Sequence, residues 1–322
     1  MNEMMNKKPL GRTGLYVTPV GFGVLTVGKT QLNYSVSEGA ALLRYALDSG
    51  FNFLDTAQYY ETYPYIREAL KGLPFDPVIS SKCLGSSYED MKEAVEEARI
   101  SLNRDVIDIF LLHEMGGRED FQERQGAWEY LLEAKAKGLV KAVGVSAHDV
   151  QAVEIAAGME ELDVVFPLIN YRGLGIRNGN GFGTREQMAE AIRKASDNGK
   201  GVFAMKAFGG GNLAVDYKTA LDYVRYLPGV DSIMMGFGYR HEIDRIIEYM
   251  EDRLDPDYRP DVSKKRMFIC QGDCMGCGAC MKRCSSKAIF WNQNGLADID
   301  PNLCVTCGYC APVCPERAII ML

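Results

Sequence analysis

Several classes of protein are excluded by what this chain of 322 residues lacks. Basic residues do not predominate: 36 Lys and Arg face 43 Asp and Glu, for a net charge of −7. A surface that binds nucleic acid is therefore not expected. No stretch approaches the roughly 18 apolar residues that a membrane span requires, and the opening MNEMMNKKPLGRTG lacks the apolar segment of a secretion signal. We expect neither a nucleic-acid partner nor a membrane.

Eight of the ten cysteines form two copies of one pattern, C-x-x-C-x-x-C-x-x-x-C. The first copy consists of Cys274, Cys277, Cys280 and Cys284. The second consists of Cys304, Cys307, Cys310 and Cys314, and Pro315 follows it. Bacterial ferredoxins hold 4Fe–4S clusters with this run, and the fourth cysteine of each run binds the other cluster. One cluster is therefore assigned to Cys274, Cys277, Cys280 and Cys314, and the second to Cys304, Cys307, Cys310 and Cys284.

Zinc is the alternative ligand for these cysteines, because CxxC pairs also build tetrahedral zinc sites. Two matching ladders with a terminal Cys-Pro favour iron–sulfur clusters over zinc. Cluster thiolates also require a reducing compartment, so we expect a cytoplasmic protein.

The first three quarters of the chain alternate short apolar runs with amphipathic stretches of helical length. The eight apolar runs lie at 17–23, 51–56, 77–82, 106–113, 141–146, 163–170, 201–208 and 231–237. They are continuously apolar, which is typical of parallel strands buried on both faces. Eight such units predict a (β/α)8 TIM barrel. The alternative is a doubly wound open sheet, but that fold would place a Gly-rich phosphate turn after its first strand, and GFGVLTVG at 21–28 does not match one.

The barrel is expected to be one of two domains. Residues 9–20, PLGRTGLYVTPV, predict an N-terminal β-hairpin that closes the amino-terminal end of the barrel. A charged segment with two prolines indicates a linker at 256–265, between a barrel domain over 1–255 and a small α+β ferredoxin-like domain over 266–322. The small domain is an internal repeat, since each cysteine ladder is followed by a short strand-like segment.

Four residues with catalytic side chains fall near the carboxyl ends of predicted strands, where TIM barrels carry their chemistry. Asp55, Lys82 and His113 end the second, third and fourth runs, and Tyr60 follows Asp55 by five residues. Together they suit carbonyl reduction. A tyrosine can donate the proton if a lysine ammonium lowers its pKa, and an aspartate can hold that ammonium. A histidine N–H can polarise the carbonyl.

These residues carry a resemblance to a known family. The segments LGRTGLYVTPVGFG, FNFLDTAQYY, SSK, IDIFLLH and GLVKAVGVSAH resemble the aldo-keto reductases across residues 9–252. The resemblance implies that Tyr60, Asp55, Lys82 and His113 are that family's catalytic tetrad. It also implies a nicotinamide cofactor, NADP(H) or NAD(H), bound across the carboxyl-end mouth of the barrel.

The resemblance suggests further cofactor contacts. Ser146 lies where the family contacts the nicotinamide carboxamide, with Asn170 and Tyr171 near the next cofactor-facing position. Lys206 belongs to MKAFGGG at 205–211, which resembles the seventh-strand loop of a subgroup with a C-terminal ferredoxin-like domain. Arg240 is the basic residue nearest the position where the family clamps the adenosine 2′-phosphate. The usual clamp is missing, so a preference for NADP over NAD is not predicted.

Three hypotheses for function follow, because nicotinamide gives up two electrons as hydride whereas each cluster moves one. In the first, an oxidoreductase reduces a small carbonyl compound with NAD(P)H. In the second, a flavin or the clusters drive the reduction of a carbonyl or related unsaturated compound, with ferredoxin or flavodoxin as redox partner. In the third, the chain is a non-catalytic electron carrier. We favour an oxidoreductase of aldo-keto reductase type, with NAD(P)H as the donor that the resemblance implies and two clusters for electron transfer, and we leave the electron route open.

Two further histidines and two further cysteines are expected to be structural and not catalytic. His148 and His241 open predicted helices and are expected at the surface or as caps. Cys83 adjoins Lys82, and successive strand residues point to opposite sides, so Cys83 is expected behind the barrel wall. Cys270 lies outside both ladders and is expected to be a buried thiol without a ligand role.

Overall fold

The computed structural model describes residues 6–29, 31–179, 181–261, 266–284, 287–304, 308 and 310–321. Cys307 lies outside these described residues, as does the end of the predicted linker at 262–265. Within the described part, no helix is both long enough and apolar enough to cross a bilayer.

Eight parallel strands close into a barrel, preceded by a hairpin and interrupted by a second small hairpin. In chain order the strands of this part are β1 (Lys8–Pro9), β2 (Tyr16–Val17), β3 (Val20–Gly23), β4 (Phe53–Asp55), β5 (Val78–Cys83), β6 (Ile107–Leu112), β7 (Val140–Ala147), β8 (Val164–Pro167), β9 (Arg177–Asn178), β10 (Gly181–Phe182), β11 (Gly201–Met205) and β12 (Ser232–Met235). The barrel order is β11-β12-β3-β4-β5-β6-β7-β8. Each predicted run contains its barrel strand or matches it within a residue, so the TIM barrel is confirmed and the open sheet is excluded.

Helices connect the strands on the outside of the barrel. They are α1 (Val36–Asp48), α2 (Tyr63–Ala69), α3 (Tyr88–Leu102), α4 (Arg118–Glu123), α5 (Gln125–Ala136), α6 (Val150–Gly158), α7 (Arg185–Asp197), α8 (Tyr217–Arg225) and α9 (Arg240–Met250). Helices α1, α3 and α7 begin with reciprocal capping boxes at Ser35, Ser87 and Thr184. A cap of this kind stabilises a helix by about 1 kcal/mol, which fixes where each helix starts above its strand.

The N-terminal hairpin closes one end of the barrel interior, as predicted. Strand β1 pairs antiparallel with β2, and Leu10 donates its N–H to the Leu15 carbonyl at 2.9 Å. Leu10, Leu15 and Val17 belong to the same buried cluster as Phe53 and Phe203, which point into the barrel. The interior is therefore a packed apolar core, and the opposite, carboxyl-end mouth is left for polar side chains.

The C-terminal module is a two-fold repeat of a cysteine ladder and a strand. Its elements are β13 (Met267–Ile269), α10 (Ala279–Arg283), β14 (Ile289–Trp291), β15 (Ala297–Ile299) and β16 (Ile319–Met321). Strand β13 pairs with β16 and β14 with β15, both antiparallel. Corresponding residues of the two halves, Lys287 and Arg317, share a left-handed backbone with φ of 55° and 54°.

The module packs against the carboxyl-end mouth of the barrel through the loop that follows β11. The Met321 N–H donates to the Gly210 carbonyl at 2.7 Å, which joins β16 to that loop by a backbone hydrogen bond. A Cβ at Gly211 would lie 2.5 Å from the Met321 carbonyl oxygen, and both glycines have positive φ. Only glycine allows this approach without strain. The second and third glycines of MKAFGGG, Gly210 and Gly211, therefore serve docking of the module.

Candidate active site and cluster sites

A buried ion pair forms the base of the site at the carboxyl-end mouth. The Lys82 ammonium, on β5, donates to Asp55 Oδ2 at 2.8 Å and to the Thr56 carbonyl at 2.6 Å. The two side chains are only 1% and 5% exposed. Asp55 ends β4, and the adjacent parallel strands bring both residues to the same edge. The aspartate thus holds the lysine in place, as predicted from the strand ends.

Tyr60 and His113 complete the four-residue group. A short 3-10 turn, Gln58–Tyr60, follows β4 and places the Tyr60 hydroxyl 3.3 Å from His113 Nε2. The Lys82 ammonium lies 4.6 Å from the centre of the Tyr60 ring. His113 follows β6, where its backbone N–H donates to the Cys83 carbonyl at 2.9 Å. The structure therefore brings all four predicted catalytic residues together.

Burial dominates the protonation of this group. It raises the pKa of Tyr60 well above its usual value, and the negative charges of Asp55 and Glu114 act in the same direction. Burial also lowers the pKa of His113 well below its usual value, with Lys82 adding to the effect. Our expectation that Lys82 lowers the pKa of Tyr60 is therefore wrong in net direction. At neutral pH the tyrosine is a protonated phenol and the histidine is neutral.

Burial opposes the charges of the ion pair as well. It lowers the pKa of Lys82 and raises the pKa of Asp55, and the attraction between the two charges offsets part of both effects. The pair consequently depends on both members, because either charge alone would be buried without a counterion.

Two residues not singled out from the sequence support the tetrad. The buried Arg124 donates to the carbonyls of His113 at 2.8 Å and Cys83 at 2.9 Å, which ties the ends of β5 and β6 together. Glu114 directly follows His113, and its Oε1 lies 3.3 Å from His148 Nδ1. The sequence could have pointed to Glu114 only through its position next to His113.

His148 is buried, so the expectation of a surface position is wrong. Its Nε2 lies 3.1 Å from the Met205 sulfur, and Asp149 caps α6 instead. The long β7 carries the histidine over the barrel mouth before the helix begins. His241 is exposed on α9, as expected.

The three predicted nicotinamide contacts make hydrogen bonds within the chain. Ser146 Oγ accepts from the Glu114 backbone N–H at 2.9 Å. Both ends of the Asn170 side chain bind the backbone of Leu174, with the amide donating to its carbonyl and the oxygen accepting from its N–H. The Tyr171 hydroxyl donates to Asp216. Their roles toward a cofactor stay predictions.

The two predicted basic contacts lie in different surroundings. Lys206 follows β11 with a left-handed backbone, φ 62°. Burial lowers its pKa, opposed by the charges of Glu114, Asp273, Cys270 and Cys314. It lies in the loop after β11 that binds the C-terminal module through Gly210. Arg240 is exposed at the start of α9, with its guanidinium 5.0 Å from the centre of the Tyr45 ring on α1.

The cysteines assigned to the first cluster surround one cavity. Its lining contains Cys274, Cys277, Cys280 and Cys314, which includes the predicted crossover ligand from the second ladder. Burial raises the pKa of Cys280, and the neighbouring thiolates raise it further. Positively charged irons would offset that repulsion between thiolates, so these four residues fit a 4Fe–4S cluster. No three ligand-type side chains of the described residues converge on a point for a single ion.

Three of the four cysteines assigned to the second cluster are described. Cys284, Cys304 and Cys310 pack in the same small core as Cys280. The backbone N–H of Ala288 donates to the Cys284 sulfur at 3.3 Å, and Ala318 does the same for the Cys314 sulfur at 3.3 Å. The two crossover cysteines therefore have equivalent settings, as the repeat requires. Cys307 belongs to this predicted set but lies outside the described residues.

Of the remaining two cysteines, Cys83 lies where it was predicted, whereas Cys270 was expected to be buried and is only half-buried. Cys83 is buried in the core between the strands and the outer helices, not in the barrel interior. Its sulfur contacts the backbone N–H of Gly85 at 3.1 Å. Burial and a hydrogen bond to Asp273 raise the pKa of Cys270 to about 11, which leaves it a thiol at neutral pH.

Comparison with known proteins agrees with this architecture. Residues 19–219 match the Aldo/keto reductase family, and residues 259–318 match the 4Fe-4S dicluster domain. The chain therefore belongs to the aldo/keto reductase family and contains a 4Fe–4S dicluster domain after the barrel.

Individual relatives cover the two parts separately. An uncharacterised oxidoreductase of Bacillus subtilis, YqkF, is 28% identical over 158 residues, 44% of this chain and 49% of that protein. One component of an ion-translocating oxidoreductase complex from Methanosarcina acetivorans is 39% identical over 59 residues, 18% of this chain and 22% of that protein. A solved structure from Pseudomonas aeruginosa, assigned to the aldo-keto reductases, is 26% identical with a TM-score of 0.66, covering 78% of this chain and 96% of its own. The chain spans about half the length of the first curated relatives that it matches.

Proposed function

We propose that this protein is a reductase of a small carbonyl or related unsaturated compound, with reducing electrons supplied through its two clusters. The observation that carries the proposal is the position of the C-terminal module on the barrel mouth. The Tyr59 hydroxyl lies against Gly272, two residues before the first ladder, since a Cβ there would be 1.6 Å from it. Tyr59 is the neighbour of the catalytic Tyr60 in the same turn.

Electrostatics support the same proximity. Charges on Cys270 and Asp273, in the segment that leads into the first ladder, affect the pKa of Tyr60. Charge on Cys314, a predicted ligand of the first cluster, affects the pKa of Lys206. The segment that leads into the first ladder and Cys314 therefore share one electrostatic neighbourhood with Tyr60 and Lys206.

The tetrad supplies protons and polarises the substrate. A carbonyl oxygen set against the Tyr60 hydroxyl and His113 Nε2 receives a hydrogen bond from the phenol, and one from the imidazole when Nε2 carries its proton. As negative charge develops on that oxygen it becomes more basic than a phenolate, so Tyr60 can transfer its proton despite its raised pKa. The nearby Lys82 ammonium stabilises the resulting phenolate, and Asp55 keeps the ammonium in place.

The clusters would supply single electrons, and reduction of a carbonyl to an alcohol consumes two electrons and two protons. Tyr60 would give one proton to the oxygen, and the second proton, which forms the C–H bond, would come from solvent. A low-potential one-electron carrier of the ferredoxin or flavodoxin class is the partner that this chemistry requires. Because such a carrier delivers single electrons directly to the clusters, no flavin would be needed to convert a hydride into single electrons.

A second candidate function is reduction by NAD(P)H with clusters that stabilise the module. The intact tetrad favours it, because that group serves hydride-dependent carbonyl reduction in the family that the chain resembles. The internal hydrogen bonds of Asn170 and Tyr171 weigh against it, since these side chains must break them to contact a cofactor.

The test is turnover with each donor in protein purified without oxygen. We expect reduced ferredoxin or a low-potential dye to drive reduction of a panel of ketones, aldehydes and enones without nicotinamide. Cys277→Ser and Cys307→Ser should stop this reaction, whereas Cys83→Ser, outside the ladders, should not. Turnover with NAD(P)H that survives both ladder substitutions, and no turnover with ferredoxin, would favour the second candidate.

A further inference from the structure

The Arg317 guanidinium is largely buried and has no counterion among the described residues. Its Nε and Nη1 atoms are buried and have no hydrogen-bond partner in that part of the chain. Burial lowers its pKa to about 10, opposed by the charge of Glu114, so the guanidinium remains charged at neutral pH. Buried charges are normally paired, because an unpaired one costs several kcal/mol. The guanidinium can therefore pair with an anion that the described residues do not supply.

The repeat of the module supplies an internal comparison. Lys287 occupies the equivalent position in the first half, with nearly the same backbone φ, and is exposed. The left-handed backbone at both positions is thus a property of the repeat. What distinguishes Arg317 is that docking on the barrel places its side chain at the mouth. Its stem passes over Gly175, where a Cβ would lie 3.1 Å from Arg317 Cδ.

Lys206 provides a second cation from the barrel side of the same space. The Glu114 charge opposes the effect of burial on the pKa of both cations. The loops also meet: Gly175, which Arg317 crosses, contacts Leu168, and Leu168 bridges to Met205 beside Lys206. Glu114 itself is directed at His148, at 3.3 Å.

We propose that Lys206 and Arg317 form an anion subsite that binds a carboxylate of the substrate, with one cation from each domain. This inference rests on the proposed function and narrows its substrate class to carbonyl or unsaturated acids. Guanidinium binds carboxylate through two parallel hydrogen bonds, and an ammonium adds a point charge. A compound such as a 2-oxo acid carries its carboxylate next to the reacting carbonyl, which matches a pair of cations beside the tetrad.

Equilibrium binding to the oxidised holoprotein tests the subsite without any electron transfer, so its outcome does not depend on the electron source. The probes are 2-oxo acids and 2-enoic acids of three to six carbons, each compared with its methyl ester by calorimetry. We expect at least one acid to bind about tenfold or more tightly than its ester. Arg317→Met should weaken acid binding by about 10- to 100-fold and leave ester binding unchanged. Lys206→Met should act in the same direction, and Arg317→Lys should retain part of the affinity.

Lys287→Met is the matched control, because it removes a cation at the equivalent, solvent-exposed position. It should alter neither acid binding nor the midpoint of thermal unfolding. Arg317→Met should raise that midpoint in the absence of acid, since it removes an unpaired buried charge, whereas loss of a structural residue would lower it. A substitution that raises the midpoint of thermal unfolding and weakens acid binding identifies Arg317 as a binding residue.

Two results would overturn the proposal. The first is that acids and their esters bind the parent protein and Arg317→Met with the same affinities. The second is that Arg317→Met and Lys206→Met weaken binding of NAD(P)H, measured by the fluorescence of the nicotinamide, while acid binding stays the same. The anion would then be a phosphate of the cofactor and not a carboxylate of the substrate.

Discussion

The buried Lys82–Asp55 pair makes a quantitative prediction about stability. Lys82→Met leaves a buried carboxylate, which can escape its unpaired charge only by taking up a proton. At pH 7, protonating a carboxyl of ordinary pKa about 3.9 costs about 4 kcal/mol, which caps the loss. Asp55→Leu leaves a buried ammonium, and deprotonating it at pH 7 costs about 5 kcal/mol by the same reasoning. Each single substitution should therefore destabilise the barrel by about 3–5 kcal/mol.

The double variant and the dependence on pH make this prediction specific. With both charges removed, Asp55→Leu/Lys82→Met should be about as stable as the parent chain, yet inactive. Lys82→Met raises the folded pKa of Asp55 above its unfolded value, so its deficit should shrink by about 1.4 kcal/mol for each pH unit below 7. Asp55→Leu lowers the folded pKa of Lys82, so its deficit should shrink as pH rises above 7.

The free energies of unfolding of the parent chain, the two single variants and the double variant can be measured in urea at pH 5, 7 and 9 by far-ultraviolet circular dichroism. Losses that simply add in the double variant would refute the reasoning, because they would show that the two charges do not compensate each other. Equal deficits at all three pH values would refute it as well.

Four further predictions follow from the geometry. Tyr60→Phe should slow turnover of the carbonyl substrate by at least about 100-fold, and unchanged turnover would contradict the role of Tyr60 as proton donor. The free energy of unfolding should stay nearly unchanged, because the Tyr60 hydroxyl makes one long contact, to His113. The folded pKa of His113 lies below its unfolded value, so stability should fall as pH drops below about 6.5, by up to about 1.4 kcal/mol per unit, and His113→Gln should flatten this slope in urea titrations. Anaerobic protein should contain about eight iron and eight acid-labile sulfide, and stoichiometric zinc in a colourless protein would contradict the cluster assignment. Gly211→Ala should loosen the module from the barrel, because its Cβ would meet the Met321 carbonyl; faster proteolysis between the two parts would show it, and unchanged protection would contradict the docking.

Local patterns predicted most of the fold, for physical reasons that can be read at particular segments. The run at 106–113 predicted β6 within a residue, because a strand buried on both faces must be apolar throughout. The cysteine spacing predicted a set of four thiols that the structure places around one cavity, crossover Cys314 included. In both cases the determining interactions lie within a short segment or an exact repeat.

Features that depend on packing between distant segments could not be predicted. His148 looked like a residue at the start of a helix, but the mouth of the barrel buries it. The pKa of Tyr60 rises because of burial, with the charges of Asp55 and Glu114 adding to it, and depth of burial is a property of the assembled barrel. Arg317 and Lys287 are equivalent in the repeat, and only docking decides which of the two side chains is covered.

The turn between Cys314 and Arg317 has a consequence for how the protein matures. The Arg317 N–H donates to the Cys314 carbonyl at 3.2 Å, so a predicted cluster ligand and the cation at the barrel mouth belong to one rigid turn. On the proposed assignments, loading of iron and readiness of the substrate site would be coupled through this turn. A chain without its metal would then hold Arg317 less firmly and bind acids more weakly, so that iron supply would act as a checkpoint for substrate capture.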